Sequence, residues 1–500
     1  MDENINYIST RGDGEQVKSA AAVIRGLAPD RGLYVPEKLP ALPCRPADLK
    51  EASYKDVARK ILGAFLTDFT EEELSGCAGS AYDEKFDTPA IAPVVKTGKA
   101  YFLELWHGPT AAFKDMALSI LPWLLTAAVR KEGEQKKIAI LTATSGDTGK
   151  AALAGFADVP GTEVVVFYPK DGVSVIQECQ MLTQTGGNVH VYGIRGNFDD
   201  AQTGVKDVFG DASFAEELAS GGIRLSSANS INIGRLAPQV AYYVYAYAQM
   251  LAGGWIAAGE QINICVPTGN FGNILAAWYA KQMGLPVNRL ICASNENKVL
   301  TDFINTGVYD ARREFILTSS PSMDILVSSN LERLLWHLSG GDSKQVRKLM
   351  TKLGESGTYD AGAGIKAALN EFYGGCAGMA ESHAALSTLW REENYLLDTH
   401  TAVAYTVYLG YRVQSGDDTK TLIASTASPY KFAGSVAGAL SLPVGKNEFQ
   451  TIRNIEIATG LPVPESLSAL DTRAVIHGTI IEKTAVKEAV RAALTAAAAG

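Results

Sequence analysis

Short apolar runs alternate with helical segments along the middle of the chain, and this alternation restricts the possible folds more than any other feature. The runs cover residues 138–143, 164–168, 189–192, 262–266 and 290–293. A predicted helix follows each of the first four runs. Strands that are apolar on both faces are typical of parallel sheets covered by helices. The sequence therefore predicts an α/β fold with parallel sheets.

The length of the chain indicates more than one domain. With 500 residues it is too long for one ordinary hydrophobic core, so we expect two or three domains. Residues 1–95 lack the regular alternation and are predicted to form a separate N-terminal α+β cap. Residues 354–384 are rich in glycine and alanine, and their pattern does not assign a structure; a mobile loop is one interpretation. Residues 485–499 have the pattern of an alanine-rich helix.

Charge and cysteine content argue against several classes of function. The net charge of −9 argues against nucleic-acid binding through bulk electrostatics. The first residues are acidic, and no apolar segment reaches the length of a membrane span, so we expect neither a signal peptide nor a membrane partner. The six cysteines are scattered without a C-x-x-C pair, which argues against disulfides and a metal site. We expect a cytoplasmic protein with a small-molecule substrate.

Lys114 lies where a turn containing Gly108 and Pro109 gives way to the apolar run 116–125. A lysine at the start of a buried helix is partly desolvated, which favours its neutral amine. The neutral amine is the form that attacks a carbonyl group to make a Schiff base. The competing interpretation is a lysine that extends from a helix end to solvent.

Two loops between a predicted strand and a helix are suited to bind anions. They are residues 267–273 (Pro-Thr-Gly-Asn-Phe-Gly-Asn) and residues 144–149 (Thr-Ser-Gly-Asp-Thr-Gly). Loop amides and a helix start together form a cradle for phosphate or carboxylate. In open α/β sheets, ligands gather at this end of the strands. The alternatives are a tight structural turn for the first loop and an ordinary helix cap for the second.

Two further stretches carry polar groups near a strand end or a helix start. Residues 229–235 precede a long predicted helix, and Arg235 offers a planar fork for phosphate or carboxylate, unless it is a surface arginine. Residues 425–432 follow a strand-like segment at 421–424. A hydroxyl at that strand end is able to hold one ring atom of a cofactor.

The chain resembles the pyridoxal-phosphate (PLP) enzymes of fold type II, the tryptophan synthase β class. The resemblance rests on three features in this order: the lysine after a Gly-Pro-Thr turn, the anion-binding loops and the late Ser/Thr stretch. More narrowly, the chain resembles the threonine synthase family of the longer bacterial and fungal type. Ser428 departs from that family, which usually has histidine at this position. The resemblance covers residues 7–12, 107–115, 144–149, 227–235, 266–273, 398–404 and 426–432.

The resemblance implies a domain organisation. It predicts a large PLP-binding α/β domain built from residues 96–127 and 236–440, and a small α/β domain from residues 128–235. Both are expected to contain an open, mostly parallel sheet with helices on both faces. Residues 441–500 are expected to form a C-terminal helical segment.

The resemblance also implies roles for individual residues. Lys114 is expected to tether PLP through a Schiff base and then to carry protons. Thr426 is expected to meet the pyridine nitrogen, and Asp147 lies where related enzymes carry an asparagine near the 3-hydroxyl of the ring. The cofactor phosphate is expected to bind Gly269, Asn270, Phe271, Gly272 and Asn273. The substrate is expected to bind Thr144, Ser145, Thr148, Asn229 and Arg235.

The activity implied by the resemblance is that of a lyase in threonine biosynthesis. It converts O-phospho-L-homoserine and water into L-threonine and phosphate by γ-elimination and β-hydration. A phosphorylated substrate beside a phosphorylated cofactor agrees with two separate anion sites. Asn229 and Arg235 favour such a substrate but do not fix the nucleophile, so a related phospho-lyase or cysteate synthase-like enzyme is an alternative. A scaffold that binds a metabolite without turnover is another. We expect a monomer or a homodimer.

Overall fold

The alternating apolar runs form the strands of two open sheets. A computed structural model describes residues 4–12, 15–98, 100–144 and 146–496. Within these residues the strands are, in chain order, β1 (Tyr7–Ser9), β2 (Tyr34–Pro36), β3 (Val94–Thr97), β4 (Ala100–Glu104), β5 (Lys137–Ala143), β6 (Thr162–Pro169), β7 (Val189–Arg195), β8 (Ile223–Ser226), β9 (Ile262–Pro267), β10 (Val287–Ser294), β11 (Val308–Asp310), β12 (Thr358–Asp360), β13 (Phe372–Cys376), β14 (Thr421–Ser425) and β15 (Ile480–Glu482).

Helices connect these strands. In the described part of the chain they are α1 (Ser19–Arg25), α2 (Tyr54–Phe65), α3 (Glu71–Ala81), α4 (Asp115–Leu118), α5 (Leu121–Lys131), α6 (Asp147–Phe156), α7 (Val175–Leu182), α8 (Phe198–Gly210), α9 (Ala212–Ser220), α10 (Ile233–Ala252), α11 (Gly272–Met283), α12 (Val299–Thr306), α13 (Leu331–Leu338), α14 (Ser343–Ser356), α15 (Ala363–Ala368), α16 (Met379–Glu393), α17 (Thr399–Ser415), α18 (Ala433–Ala439), α19 (Glu448–Thr459) and α20 (Val486–Ala496). Short 3₁₀ turns include Pro321–Met323 and Pro429–Phe432.

The two sheets differ in size and in whether all of their strands run parallel. The large sheet has the strand order β13-β10-β9-β14-β4-β3, and its neighbours are parallel except for the antiparallel pair β3 and β4. The small sheet has the order β15-β7-β6-β5-β8 and is parallel throughout. The predicted α/β fold with open, mostly parallel sheets is confirmed.

Burial of the strands explains why they are apolar on both faces. Every residue of β6, β9 and β14 is buried, so side chains on both sides of the strand pack against helices. Helix α10 is buried along most of its length and packs against α2 of the N-terminal region and against α11. The N-terminal region is thereby joined to the core beside the large sheet.

Residues 354–384 form regular secondary structure, which argues against the interpretation of this stretch as a loop. They contain the end of α14, then β12, α15, β13 and the start of α16, and β13 is an edge strand of the large sheet. The two glycines of β13 are required by close packing. A Cβ at Gly374 would lie 3.0 Å from the carbonyl oxygen of Thr301, and one at Gly375 would lie 2.6 Å from Val407. Glycine lets α12 and α17 approach this strand.

The C-terminal segment contributes more than helices. Strand β15 pairs in parallel with β7 and extends the small sheet, and α20 packs against α8. Helix α20 covers most of the alanine-rich stretch, whose last residues lie outside the described part. Among the described helices, none combines the length and the apolar character needed to cross a bilayer.

The predicted motifs all follow the carboxyl ends of parallel strands. Strand β4 leads to Lys114, β5 to the loop 144–149, β8 to the loop 229–235, β9 to the loop 267–273 and β14 to the stretch 425–432. Parallel strands bring such ends to one edge of each sheet, where ligands bind in open α/β folds.

Candidate active site

Lys114 lies at the start of α4, directly after a buried turn. Thr110 donates to the carboxylate of Asp115 through its backbone N–H (2.9 Å) and its hydroxyl (2.6 Å). The N–H of Phe113 donates to the carbonyl oxygen of Thr426 (2.8 Å), which fastens the turn to the end of β14. The side chain of Lys114 is only 12% exposed. The interpretation of Lys114 as a lysine that extends to solvent is therefore wrong.

The amine of Lys114 has two polar neighbours. Its Nζ lies 3.3 Å from Oδ2 of Asp147 and 3.4 Å from Oγ of Ser322. Burial lowers the pKa of Lys114; the carboxylate of Asp147 opposes this, while the cations of Lys431 and Arg235 lower the pKa further. The amine is consequently closer to its neutral, nucleophilic form than an ordinary lysine.

Asp147 is held between two lysines. Nζ of Lys431 lies 2.6 Å from Oδ1 of Asp147, and Gln177 donates to the same oxygen (3.0 Å). Burial would raise the pKa of Asp147, but Lys431, Lys114 and these hydrogen bonds more than offset it and hold the pKa far below its usual value. Asp147 is therefore a carboxylate throughout the physiological pH range.

Ser322 belongs to the turn Pro321–Met323, which lies beside Lys114. Its N–H donates to Nε2 of His400 (3.1 Å), and Nδ1 of His400 lies 3.1 Å from Oδ1 of Asp398. These partners assign the ring proton to Nδ1, because Nε2 has to accept. A Cβ at Gly269 would lie 2.4 Å from the carbonyl oxygen of Ser322. Only glycine lets this turn lie against the loop 267–273.

The loop 267–273 leaves amide groups available at the start of α11. Phe271 has a left-handed backbone (φ 64°), and no side chain caps the helix. The first N–H groups of a helix have no partner within it, so an uncapped start offers them to a ligand. The loop is held by hydrogen bonds to its own carbonyls, from Ser328 Oγ to Gly269 (2.8 Å) and from the N–H of Asn330 to the exposed Asn270 (3.1 Å).

Asn273 adds a side-chain donor to these amides. Its Oδ1 accepts from the hydroxyls of Tyr242 (2.8 Å) and Tyr243, which fixes the orientation of the amide. Its Nδ2 is buried and has no hydrogen-bond partner among the described residues. Buried donors are normally paired, so this one indicates a missing acceptor. Uncapped amides with an unpaired amide nitrogen form a donor set that fits the phosphate of PLP.

Arg235 is a second unsatisfied donor, in the first turn of α10. It is 4% exposed, so the surface-arginine interpretation is wrong. Nη1 donates to the carbonyl oxygen of Ala228 (2.7 Å), but Nε is buried without a partner, and no carboxylate pairs with the guanidinium within the described residues. Burial lowers its pKa to about 10. A buried cation without a counter-ion suits an anionic ligand. Asn229 is exposed, next to Ala228 in the same loop.

The loop 144–149 is largely held by its own hydroxyl. Oγ1 of Thr144 accepts from the N–H of Gly146 (3.0 Å) and of Gly149 (2.9 Å), so its hydroxyl pairs with one N–H of the first turn of α6, although the cap position itself is Gly146. Thr148 is half-buried on the first turn of α6. Ser145 lies outside the described residues.

In the stretch after β14, Thr426 and Ser428 have different roles. Thr426 is buried, its N–H donates to Oγ1 of Thr401 (3.3 Å), and its hydroxyl makes no hydrogen bond to the residues described. Ser428 is fully buried, and its hydroxyl accepts from the N–H of Tyr430 (3.4 Å) at the start of Pro429–Phe432. Thr426 is thus available to a ligand, whereas Ser428 caps a turn.

His107, from the same motif as Lys114, is bound on both ring nitrogens. Nδ1 lies 2.5 Å from Asp87 Oδ1 and Nε2 lies 3.0 Å from Glu104 Oε2, with the ring of Trp106 stacked at 4.3 Å. Burial lowers the pKa of His107, but the two carboxylates outweigh it and raise the pKa to about 9. His107 is therefore an imidazolium at neutral pH and fastens the turn before Lys114.

The structure thus brings Lys114, Asp147, Arg235 and Thr426 together and adds three groups that the sequence interpretation did not assign. Lys431 and His400 lie in stretches that carried the resemblance, and their burial beside polar motifs was the available signal. Ser322 had no signal of its own.

Comparisons with known proteins show the family of the chain. The family described as "Threonine synthase N terminus" matches residues 6–82, and the family described as "Pyridoxal-phosphate dependent enzyme" matches residues 87–426. The threonine synthase of Schizosaccharomyces pombe is 35% identical over 474 residues, covering 88% of this chain and 90% of the relative. The human protein "Threonine synthase-like 1" is 41% identical over 458 residues, covering 87% of this chain. The chain spans 61% of the length of that relative.

Solved structures give the same result. PLP-bound threonine synthase from Brucella melitensis is 34% identical with a TM-score of 0.87, covering 98% of this chain and 99% of the other. Yeast threonine synthase is 32% identical with a TM-score of 0.87, covering 99% of each chain. The chain belongs to the threonine synthase family of pyridoxal-phosphate-dependent enzymes.

Proposed function

We propose that this chain converts O-phospho-L-homoserine and water into L-threonine and phosphate. The observation that carries the proposal is a pair of separate, unsatisfied anion sites around one buried lysine. One is the start of α11 with Nδ2 of Asn273, and the other is Arg235; among the described residues the first has no acceptor and the second no counter-ion. A phosphorylated cofactor occupies only one of them, so the second is available to the phosphate of a substrate.

The cofactor would be held by residues from four strand ends. We assign the tether to Lys114, the phosphate to the loop Gly269, Asn270, Phe271, Gly272 and Asn273, and the ring nitrogen to the hydroxyl of Thr426. Asp147 is assigned to the edge of the ring with the 3-hydroxyl. When bound, PLP supplies an electron sink for negative charge at the substrate's α-carbon.

Lys114 is assigned the proton transfers. Once released from the cofactor by the substrate's amino group, its amine takes the proton from Cα and later returns protons to the carbon chain. An amine with a lowered pKa exchanges protons efficiently near neutral pH. Asp147 and Ser322 hold Nζ between these transfers, at 3.3 and 3.4 Å.

The substrate would be oriented by its two anionic ends. Arg235, with Asn229 on the same loop, is assigned to the phosphate that leaves from Cγ. Thr144, Ser145 and Thr148 are assigned to the carboxylate end, where Thr144 acts by shaping the loop, since its hydroxyl already accepts from two backbone N–H groups. A cytoplasmic location is part of the proposal, because the six cysteines are free thiols.

The experiment is a side-by-side assay of O-phosphohomoserine and O-phosphoserine with the PLP-loaded protein. Threonine and phosphate are measured together, and we expect equal amounts of both from O-phosphohomoserine only. Phosphate without threonine would instead indicate a phospho-lyase, and no phosphate from either compound would overturn the proposal. K114A serves as the control for background hydrolysis.

A further inference from the structure

Lys431 is a fully buried lysine whose amine has few partners. It lies on the turn Pro429–Phe432, and its side chain has no exposed surface. Nζ lies 2.6 Å from Oδ1 of Asp147 and donates to the carbonyl oxygen of Thr110 (2.9 Å). A lysine is rarely buried unless it is paired, so the ion pair with Asp147 explains why Lys431 is tolerated here.

One carboxylate is therefore shared by two buried lysines. Oδ1 of Asp147 lies 2.6 Å from Lys431, and Oδ2 lies 3.3 Å from Lys114. Arg235 adds a further positive charge that lowers the pKa of Lys114. A single negative charge does not balance three cations in a buried site, so one of them gives up its proton most easily. The longer contact identifies Lys114 as that group.

Other charges around the pair do not change this assignment. The carboxylate of Asp115 also feels the charge of Lys431, but it accepts two hydrogen bonds from Thr110. Lys150 on α6 also interacts with Lys431 and Asp115, and burial lowers its pKa to about 7. Neither of them is within hydrogen-bond distance of Asp147 or Lys114 among the described contacts, so Lys431 is the cation that fixes Asp147.

We propose that Lys431 is a positioning residue: by holding Asp147 in an ion pair, it leaves the amine of Lys114 without a proton and ready to attack the aldehyde of the cofactor. The inference rests on the proposed function, because it explains how the tether and proton carrier is made reactive. The inference predicts the charge of the Lys114 amine, which can be measured without substrate.

Two substitutions are expected to change the charge of Lys114 in opposite directions. In K431M, Asp147 loses its nearer cation and binds the proton-bearing form of Lys114 more strongly, so the neutral fraction falls. In D147N, Lys114 faces Lys431 and Arg235 without a carboxylate, so the neutral fraction rises. A charge at this distance changes the neutral fraction by about tenfold or more. In the double variant the two effects oppose each other.

The experiment is competitive acetylation of the full-length, cofactor-free protein with acetic anhydride over a pH series. The peptide that contains Lys114 is quantified by mass spectrometry against a free amine as internal standard. We expect the pH midpoint of labelling to rise in K431M, to fall in D147N, and to lie between these values in the double variant. K483M, which removes a lysine from the exposed pair with Asp200, is the matched control and should leave the midpoint unchanged.

Several outcomes would overturn the proposal. These are a midpoint that is unchanged or lowered in K431M, and midpoint shifts of the same sign in K431M and D147N. Opposite shifts are informative because a loss of packing alone does not produce them. If K431M does not fold, K431Q, which keeps a polar side chain but removes the charge, replaces it, and an unchanged or lowered midpoint in K431Q contradicts the proposal. A failed substrate assay with opposite midpoint shifts would reject the proposed reaction while leaving the role of Lys431 intact.

Discussion

Replacing Arg235 by methionine should stabilise the ligand-free protein while disabling the site. The fall in the pKa of Arg235 to about 10 corresponds to a penalty of about 3 kcal/mol for keeping the charge buried. That penalty applies in full at neutral pH, where the guanidinium is charged in both the folded and the unfolded state. Methionine removes it and forfeits the hydrogen bond to Ala228, which contributes about 1.5 kcal/mol. We expect a net gain of about 1 to 2 kcal/mol in the free energy of unfolding.

The activity of R235M should change in the opposite direction. A phosphate dianion beside a buried guanidinium contributes several kcal/mol, so kcat/KM should fall by about 10²- to 10³-fold. Inorganic phosphate should raise the thermal midpoint of the wild-type protein through binding but leave that of R235M unchanged. Thermal and urea midpoints with and without phosphate, together with steady-state kinetics, measure both effects.

Arg333 provides the matched control, because burial lowers its pKa to about 10 as well. Its guanidinium, unlike that of Arg235, is satisfied: Nε donates to the carbonyl oxygen of Tyr34 (2.9 Å), and the other nitrogens donate to Asn330 and Ile231. R333M also removes a burial penalty of about 3 kcal/mol, but it loses three hydrogen bonds and leaves their acceptors unpaired, at about 2 kcal/mol each, so it should destabilise the protein by about 3 kcal/mol. If ligand-free R235M is also destabilised by more than about 1 kcal/mol, Arg235 has a compensating partner and the reasoning fails.

The remaining predictions concern Lys114 and its supports. K114A should lose the covalently held cofactor, seen as loss of visible absorbance, and threonine formation; full activity would refute the site. For His107, a folded pKa of about 9 lies above the unfolded value, so its protonation stabilises the protein below pH 6.5, and this contribution is lost as pH rises through about 9. H107N should therefore lower the thermal midpoint more at pH 6 than at pH 10, and an equal loss at both would contradict the ion pairs. G269A places a Cβ 2.4 Å from the carbonyl of Ser322 and should reduce the cofactor content after dialysis, while G438A, with no neighbour within 4 Å, should not.

Much of the fold follows from local pattern. The apolar runs at 138–143 and 262–266 became β5 and β9 with boundaries within about one residue, because a strand buried on both faces leaves no polar position to obscure its ends. Strand β13 was missed for a physical reason. Its Gly374 and Gly375 have low strand propensity but are needed where α12 and α17 approach, and that approach is a tertiary contact that no local pattern contains.

The candidate site was likewise predictable only in part. Lys114 was predictable because its turn and the apolar run that follows are contiguous in sequence. Lys431 was not, since its importance comes from Asp147, which lies far away in the chain and on the other sheet. Arg235 was placed in the right loop, yet its burial and its lack of a counter-ion emerge only when α10 is packed.

The pairing of β15 with β7 delays completion of the small sheet during synthesis. Strand β7 ends at Arg195 and its partner ends at Glu482, so roughly 290 residues are made between the two. At about 5 to 20 residues per second this takes roughly 15 to 60 s. Throughout that interval the backbone groups on the free edge of β7 are available to pair with a strand of another chain. The nascent chain therefore presents an unpaired strand edge until β15 has been synthesised and can pair with β7.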